Sequence, residues 1–222
     1  TVSPTKIIAL GLNYRDHIME SHSVGVQGID PTEPKEPVLF PKMPSCLIAT
    51  GEDIVLPGFV EDYAFEDPRV DYEAELSFII SKECKNVPAA DALSVIYGFT
   101  CLNDVSHRNI QTGDVSGWFR GKSFDTFGPI GPCVVLTEDI GDPQDLKIEC
   151  RFNGKTVQSS NTKNMIFSAV DLVSFVSHQM TLLPGDVILT GTPAGVGPIV
   201  SGDEVEVAIE GIGSLVNTVQ RA

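Results

Sequence analysis

The sequence predicts an α+β domain, mainly β, with a few short helices. Three observations carry this. Twenty glycines and fifteen prolines among 222 residues supply many turns. Several runs alternate apolar and polar residues with the period of a strand. Segments with helical signals are few and short. A hydrophobic fraction of 42%, a charged fraction of 20% and a mean hydropathy of +0.09 suit a chain that closes an apolar core. One unit over 1–222 is expected, since no repeat, low-complexity tract or linker divides it.

The elements follow in order. Ile7, Ile8, Ala9 and Leu10 form an apolar run soon ended by Asn13, Arg15 and Asp16, far too short to span a membrane. A short helix is expected after Tyr14, over 15–20. Residues 23–37 hold Gly25, Gly28, Pro31, Pro34 and Pro37 and read as a long surface loop, so that 17–37 together suggest a lid and loop. Residues 58–69, with Glu61, Asp62, Glu66 and Asp67, read as a solvated acidic loop. Over 70–80, Val70, Tyr72, Ala74, Leu76, Phe78 and Ile80 share one face of a strand, and Asp71, Glu73, Glu75 and Ser77 the other. A helix over 88–96 starts on Pro88, where a missing N–H does no harm. An apolar strand over 96–102 ends on Asn103 and Asp104. Asn153-Gly154 centres a hairpin over 148–158, because both residues readily take positive φ. Ser168 and Asp171 form a capping box opening a helix through Val173, Val176 and His178. Turns at 184–186 and 201–203 lead into strands over 187–189 and 204–210.

Charge narrows the function. Fifteen basic against thirty acidic residues give a formal −15 and a pI near 4.5. Such a surface repels phosphate backbones and anionic lipid, so neither nucleic acid nor membrane is an expected partner. An acidic substrate would need positive charge concentrated in the site, from a metal or from buried bases. Cys46, Cys84, Cys101, Cys133 and Cys150 are odd in number and lack C-x-x-C spacing, which points to reduced thiols and a cytoplasmic location.

The residues able to do chemistry are spread along the chain. Glu73 and Glu75 leave the same strand face about 6.6 Å apart, near enough to share one cation, or else to line a solvated edge. Asp104 is a possible third ligand or an N-cap for the segment that follows. His17 and Glu20 share a helix face, where a carboxylate can orient an imidazole. Lys122, among apolar neighbours, can pair with site carboxylates or snorkel to solvent. The loop at 190–197 lacks the lysine of a phosphate loop, and Pro193 removes a donor; its backbone amides suit a small carboxylate better.

Taken together, these residues resemble the fumarylacetoacetate hydrolase family. The resemblance rests on Asn13-Tyr14-x-x-His17-x-x-Glu20, Asp71-Tyr72-Glu73-x-Glu75-Leu76, Asn103-Asp104-Val105-Ser106-x-Arg108 and Gly121-Lys122-Ser123-Phe124-Asp125. It continues through residues 128–132 and 184–193, then Gly211-Ile212-Gly213 and Asn217. It implies a mixed β-roll, usually a homodimer, binding Mg²⁺ or Mn²⁺ through residues matching Glu73, Glu75 and Asp104. It further implies a 2-oxo-acid substrate, Lys122 beside the substrate oxygens, and His17 with Glu20 as a water-activating pair on a lid. Arg108, Gln111 and Thr192 match positions around the substrate. Hydrolytic C–C cleavage of an acylpyruvate is the reaction expected first. Isomerisation of a 2-hydroxyhepta-2,4-diene-1,7-dioate type substrate, or oxaloacetate decarboxylation, would use the same metal–enolate core. A non-catalytic metal-binding homologue is the alternative of another class.

Overall fold

A computed structural model of the chain describes residues 3–23 and 33–222. Its strands are β1 (Ile7–Gly11), β2 (Val38–Lys42), β3 (Leu47–Ile48), β4 (Ile54–Leu56), β5 (Val70–Tyr72), β6 (Ala74–Ile80), β7 (Ile96–Asn103) and β8 (Ser106–His107). They continue with β9 (Gly128–Leu136), β10 (Lys147–Phe152), β11 (Lys155–Asn161), β12 (Val187–Leu189), β13 (Gly197–Pro198), β14 (Glu204–Ile209) and β15 (Gly213–Arg221). The α-helices are α1 (Arg15–Ser23), α2 (Arg108–Gly113), α3 (Gly117–Gly121) and α4 (Ala169–Gln179). The mainly β expectation therefore holds.

The strands form a seven-stranded sheet, ordered β2-β1-β12-β6-β7-β9-β3, and a five-stranded sheet, ordered β11-β10-β14-β15-β4. Strands β10, β14 and β15 pack against β6, β7 and β9. Leu76, Phe78 and Phe99 meet Ile148, Val207 and Leu215 in one buried cluster. Burying a side chain of this size contributes roughly 1.5–3 kcal/mol. A small third sheet, β13-β5-β8, sits at one end of β6.

Several local expectations are met. Asn153 and Gly154 both have positive φ, and β10 pairs with β11 around them. Ser168 caps α4 with the reciprocal Asp171 bonds of a capping box. The turns before β12 and β14 place Gly185 and Gly202 at positive φ.

Three expectations are corrected. The alternating run at 70–80 is two strands rather than one. Asp71 pairs with β8 and β13, whereas Ala74 to Ile80 pair with β7, and Glu73 lies at the break. Its amide donates to Asn103 Oδ1 at 2.9 Å, a side chain standing in for the ladder. The acidic stretch at 58–69 contains a 3-10 helix, Gly58–Tyr63, that buries its own Val60. Likewise Ala89–Val95 is 3-10 rather than α-helical. Of the lid and loop expected over 17–37, residues 24–32 lie outside the described residues; His17 and Glu20 fall within helix α1.

Candidate active site

Strand β6 is buried along its whole length, so the two glutamates at its start enter the protein rather than solvent. Asp104 follows β7 directly, and its N–H donates to the Glu73 carbonyl at 2.9 Å. The pairing of β6 with β7 thus brings Glu73, Glu75 and Asp104 to one point. One carboxylate oxygen from each lies within 4.8 Å of the other two, and all three residues are buried. Such a cluster is costly without counter-charge.

That counter-charge is present. Lys122 Nζ contacts Glu73 Oε2 at 2.8 Å and Asp104 Oδ2 at 2.6 Å. Arg108 contacts Glu73 Oε1 at 2.6 Å and Asp71 Oδ2 at 2.7 Å, and Arg69 takes the other oxygen of Asp71. Gln111 accepts from Arg108 Nη1 at 2.9 Å, fixing the guanidinium plane. A second buried lysine, Lys42, lies 2.7 Å from Asp104 Oδ1. Four acids (Asp71, Glu73, Glu75, Asp104) therefore meet four bases (Lys42, Arg69, Arg108, Lys122).

These contacts shift the carboxyls in opposite directions. Burial pushes Glu73 up, but the charges of Lys122 and Arg108 outweigh it and hold the group well below the usual range. Glu75 goes the other way. Burial raises it first, and the charges of Asp104 and Glu73 raise it further, against Lys122 and the Gly191 amide. Lys122 is raised: burial opposes its charge, and Asp104 and Glu73 overcome that effect.

The glycine loop at 190–197 does wrap carboxylates, but they are the protein's own. Gly191 donates its N–H to Glu75 Oε2 at 2.8 Å, and Gly195 donates to both Glu20 oxygens at 3.1 Å. Gly195 has φ +100°, and a Cβ there would come 2.2 Å from the Val157 carbonyl. Gly195→Ala is expected to destabilise the fold by about 3 kcal/mol and to loosen Glu20. Thermal melting checks this; an unchanged midpoint would refute it. Asn13 anchors the same loop, donating to Thr190 O at 2.7 Å and Phe167 O at 2.9 Å. Thr192 is buried and accepts from Gln158, which also accepts from the Ala74 amide.

His17 Nδ1 lies 3.3 Å from Glu20 Oε2, and the imidazole side chain is 12% exposed, so it remains reachable. Burial raises Glu20, but the bond from His17 and the Gly195 amide bring it down, which keeps it an anion beside the ring. A charged His17 would also stabilise the Glu73 carboxylate, which puts the two within electrostatic reach.

The match to the fumarylacetoacetate (FAA) hydrolase C-terminal family model spans residues 6–220. The chain belongs to the fumarylacetoacetate hydrolase family. Within that family it is 43% identical over 223 residues to the mitochondrial oxaloacetate tautomerase Fahd2a of Rattus norvegicus, covering 97% of this chain and 66% of the relative. The crystal structure of 5-carboxymethyl-2-hydroxymuconate delta-isomerase from Mycobacterium smegmatis is similar with a TM-score of 0.84 and 42% identity, covering 100% of this chain and 80% of that one. Maleylpyruvate hydrolase from Sphingobium sp. SYK-6, in complex with manganese(II) and pyruvate, is similar with a TM-score of 0.81 and 31% identity, covering 100% and 72%.

The family's motifs contain the three clustered acids, Lys122 and Arg108, but several of their supports carry no assigned role in the sequence. Asp71 and Asn103 stand in the motifs without a role, and Lys42 and Gln158 carry no sequence signal, yet Lys42 meets Asp104, Asn103 the Glu73 amide, Asp71 the Arg108 guanidinium and Gln158 the Ala74 amide between the two glutamates. The donor set fits a hard divalent cation: three carboxylates, no thiolate, and Asp104 Oδ1 buried without an aligned hydrogen bond despite the nearby ammonium. The 3-10 segment lays Phe59 on Phe124, and Phe65, two residues past its end, meets His107, with ring centroids 5.4 and 5.7 Å apart. No helix among the described residues is long and apolar enough to cross a membrane.

Proposed function

We propose that this protein is a divalent-metal-dependent enzyme acting on 2-oxo acids, with proton transfer at the enolate as its core step. The supporting observation is the buried carboxylate triad balanced by an equal complement of bases. Glu73, Glu75 and Asp104 would hold Mg²⁺ or Mn²⁺. When bound, such an ion supplies Lewis acidity toward the oxygens of a 2-oxo acid and favours its enolate.

The chain's own residues supply the rest. With Nδ1 facing Glu20, His17 keeps Nε2 as the basic atom, able to take a proton from the carbon next to the keto group and return it. Glu20 fixes the tautomer and stabilises the imidazolium. Lys122 and Arg108 present cations to the substrate's carboxylate, with Gln111 and Thr192 shaping the surrounding wall. Keto–enol tautomerisation or isomerisation of a 2-oxo dicarboxylate needs nothing further. Two similarities support it: to a relative named oxaloacetate tautomerase and to a structure named a muconate isomerase. Hydrolysis of an acylpyruvate is the second reading, supported by the likeness to maleylpyruvate hydrolase; there His17 would activate water instead. A homodimer in the cytoplasm completes the proposal, and the five free cysteines support the reducing compartment.

A panel of oxaloacetate, a hydroxymuconate-type dioate, fumarylpyruvate and acetylpyruvate tests the reaction. Enol–keto conversion of the dicarboxylates should exceed acetylpyruvate cleavage. EDTA should abolish every activity, and Mg²⁺ or Mn²⁺ restore it. Full activity after stripping would refute the metal dependence.

A further inference from the structure

Lys42 is a charged residue at this site that nothing in the sequence marks. It ends edge strand β2, two residues after Phe40, and its side chain is fully buried. Nζ donates to the carbonyls of Phe127, at 3.0 Å, and Lys122, and lies 2.7 Å from Asp104 Oδ1. A lysine whose only task was to satisfy two carbonyls would be a poor solution, since a neutral donor avoids the cost of burying a charge. The charge has a use only toward the carboxylate cluster.

The tally around the cluster shows what that use is. Four acids and four bases cancel, so a bound dication would leave the site at about +2. A charge of that size matches a dianion: a dicarboxylate, or a 2-oxo carboxylate in its enolate form.

We propose that Lys42 is a positioning and specificity residue that neutralises Asp104 from behind, so that the charge of the bound metal is directed at a dianionic ligand. The inference rests on the metal reading above. It makes the unusual demand that Lys42 weakens metal binding while strengthening ligand binding. A residue that only holds the fold together would affect both in the same direction.

The test uses the full chain, with Mn²⁺ and oxalate as probes. Mn²⁺ affinity is read from the electron paramagnetic resonance signal of the free ion, and oxalate affinity by calorimetry on Mn²⁺-saturated protein. Lys42→Met keeps the volume, and Lys42→Gln keeps donors for the two carbonyls. Both variants should bind Mn²⁺ at least about tenfold more tightly and oxalate at least about tenfold more weakly, a lower bound for one unit charge several ångströms away inside a protein. Lys42→Arg, which keeps the charge, should return both constants toward wild type. Weakening of both constants, or no change in either, would overturn the inference while leaving the metal reading intact. Failure of both neutral variants to fold, judged by circular dichroism, would assign Lys42 to the fold and also overturn it. Absence of Mn²⁺ binding by the wild-type protein would remove the metal reading itself, and this inference with it.

Discussion

Replacing Glu75 with Gln is expected to cut the affinity for Mg²⁺ or Mn²⁺ by more than about 100-fold, since losing even an outer partner of a metal ligand costs 10–100-fold. The same change should raise the melting temperature of the metal-free protein. Both effects come from one carboxyl. Burial, then the charges of Asp104 and Glu73, lift the Glu75 carboxyl well above its ordinary value, and a Gln oxygen would still accept from Gly191. A group raised in the folded state loses its proton less readily there than in the unfolded chain. Stability therefore falls as pH climbs from the ordinary carboxyl range through the raised value. Gln does not titrate, so its advantage over wild type should widen with pH. The cation must displace the Glu75 proton, so wild-type metal affinity should also rise with pH. Melting curves across pH, with and without Mg²⁺, check both parts. Wild type should gain about 8 °C at a hundredfold excess of Mg²⁺ over Kd, and the variant almost nothing. A variant that melts below metal-free wild type, or keeps the Mg²⁺ gain, would contradict the assignment.

His17→Ala should lower turnover by about 10²–10⁴-fold, the usual contribution of a positioned acid–base group, and leave oxalate affinity within about threefold. The ring pairs with Glu20 rather than with Glu73, Glu75 or Asp104, and Glu20 keeps its Gly195 amide without it, so the clustered acids should stay in place. Exchange of solvent deuterium into the carbon beside the keto group, followed by NMR, should fall in parallel with turnover. Acylpyruvate hydrolysis should also suffer, whereas oxaloacetate decarboxylation, which needs no base, should fall much less. Equal losses in all three reactions would remove His17 from proton transfer.

What could be read from the sequence was local or carried by the family's motifs. Asn153-Gly154 and Ser168 with Asp171 declare their backbone geometry within four residues, and the structure agrees. Glu73, Glu75 and Asp104 were legible because the motifs keep their identities and order, although only the pairing of β6 with β7 makes them neighbours. Lys42 was not legible. A lysine after Phe40-Pro41 looks like an edge-strand charge, and its burial depends on Asp104 and Phe127 arriving from distant parts of the chain. The break at Glu73 was hidden because apolar–polar alternation runs through it unchanged while the pairing partners switch. The glycine loop offers amides suited to a small carboxylate, but the carboxylates it wraps are side chains, Glu75 and Glu20, which no pattern in the loop declares.

The switch of sheets at Glu73 makes the site modular. Upstream of it, Gly58–Tyr63 forms a rim ahead of β5, whose Asp71 still belongs to the charged centre; downstream, β6 is locked on both sides by β7 and β12. Length or composition can therefore change in the rim without shifting the register of Glu75. Evolution, or a designer grafting a new segment there, can reshape what enters the site while its charged centre stays put.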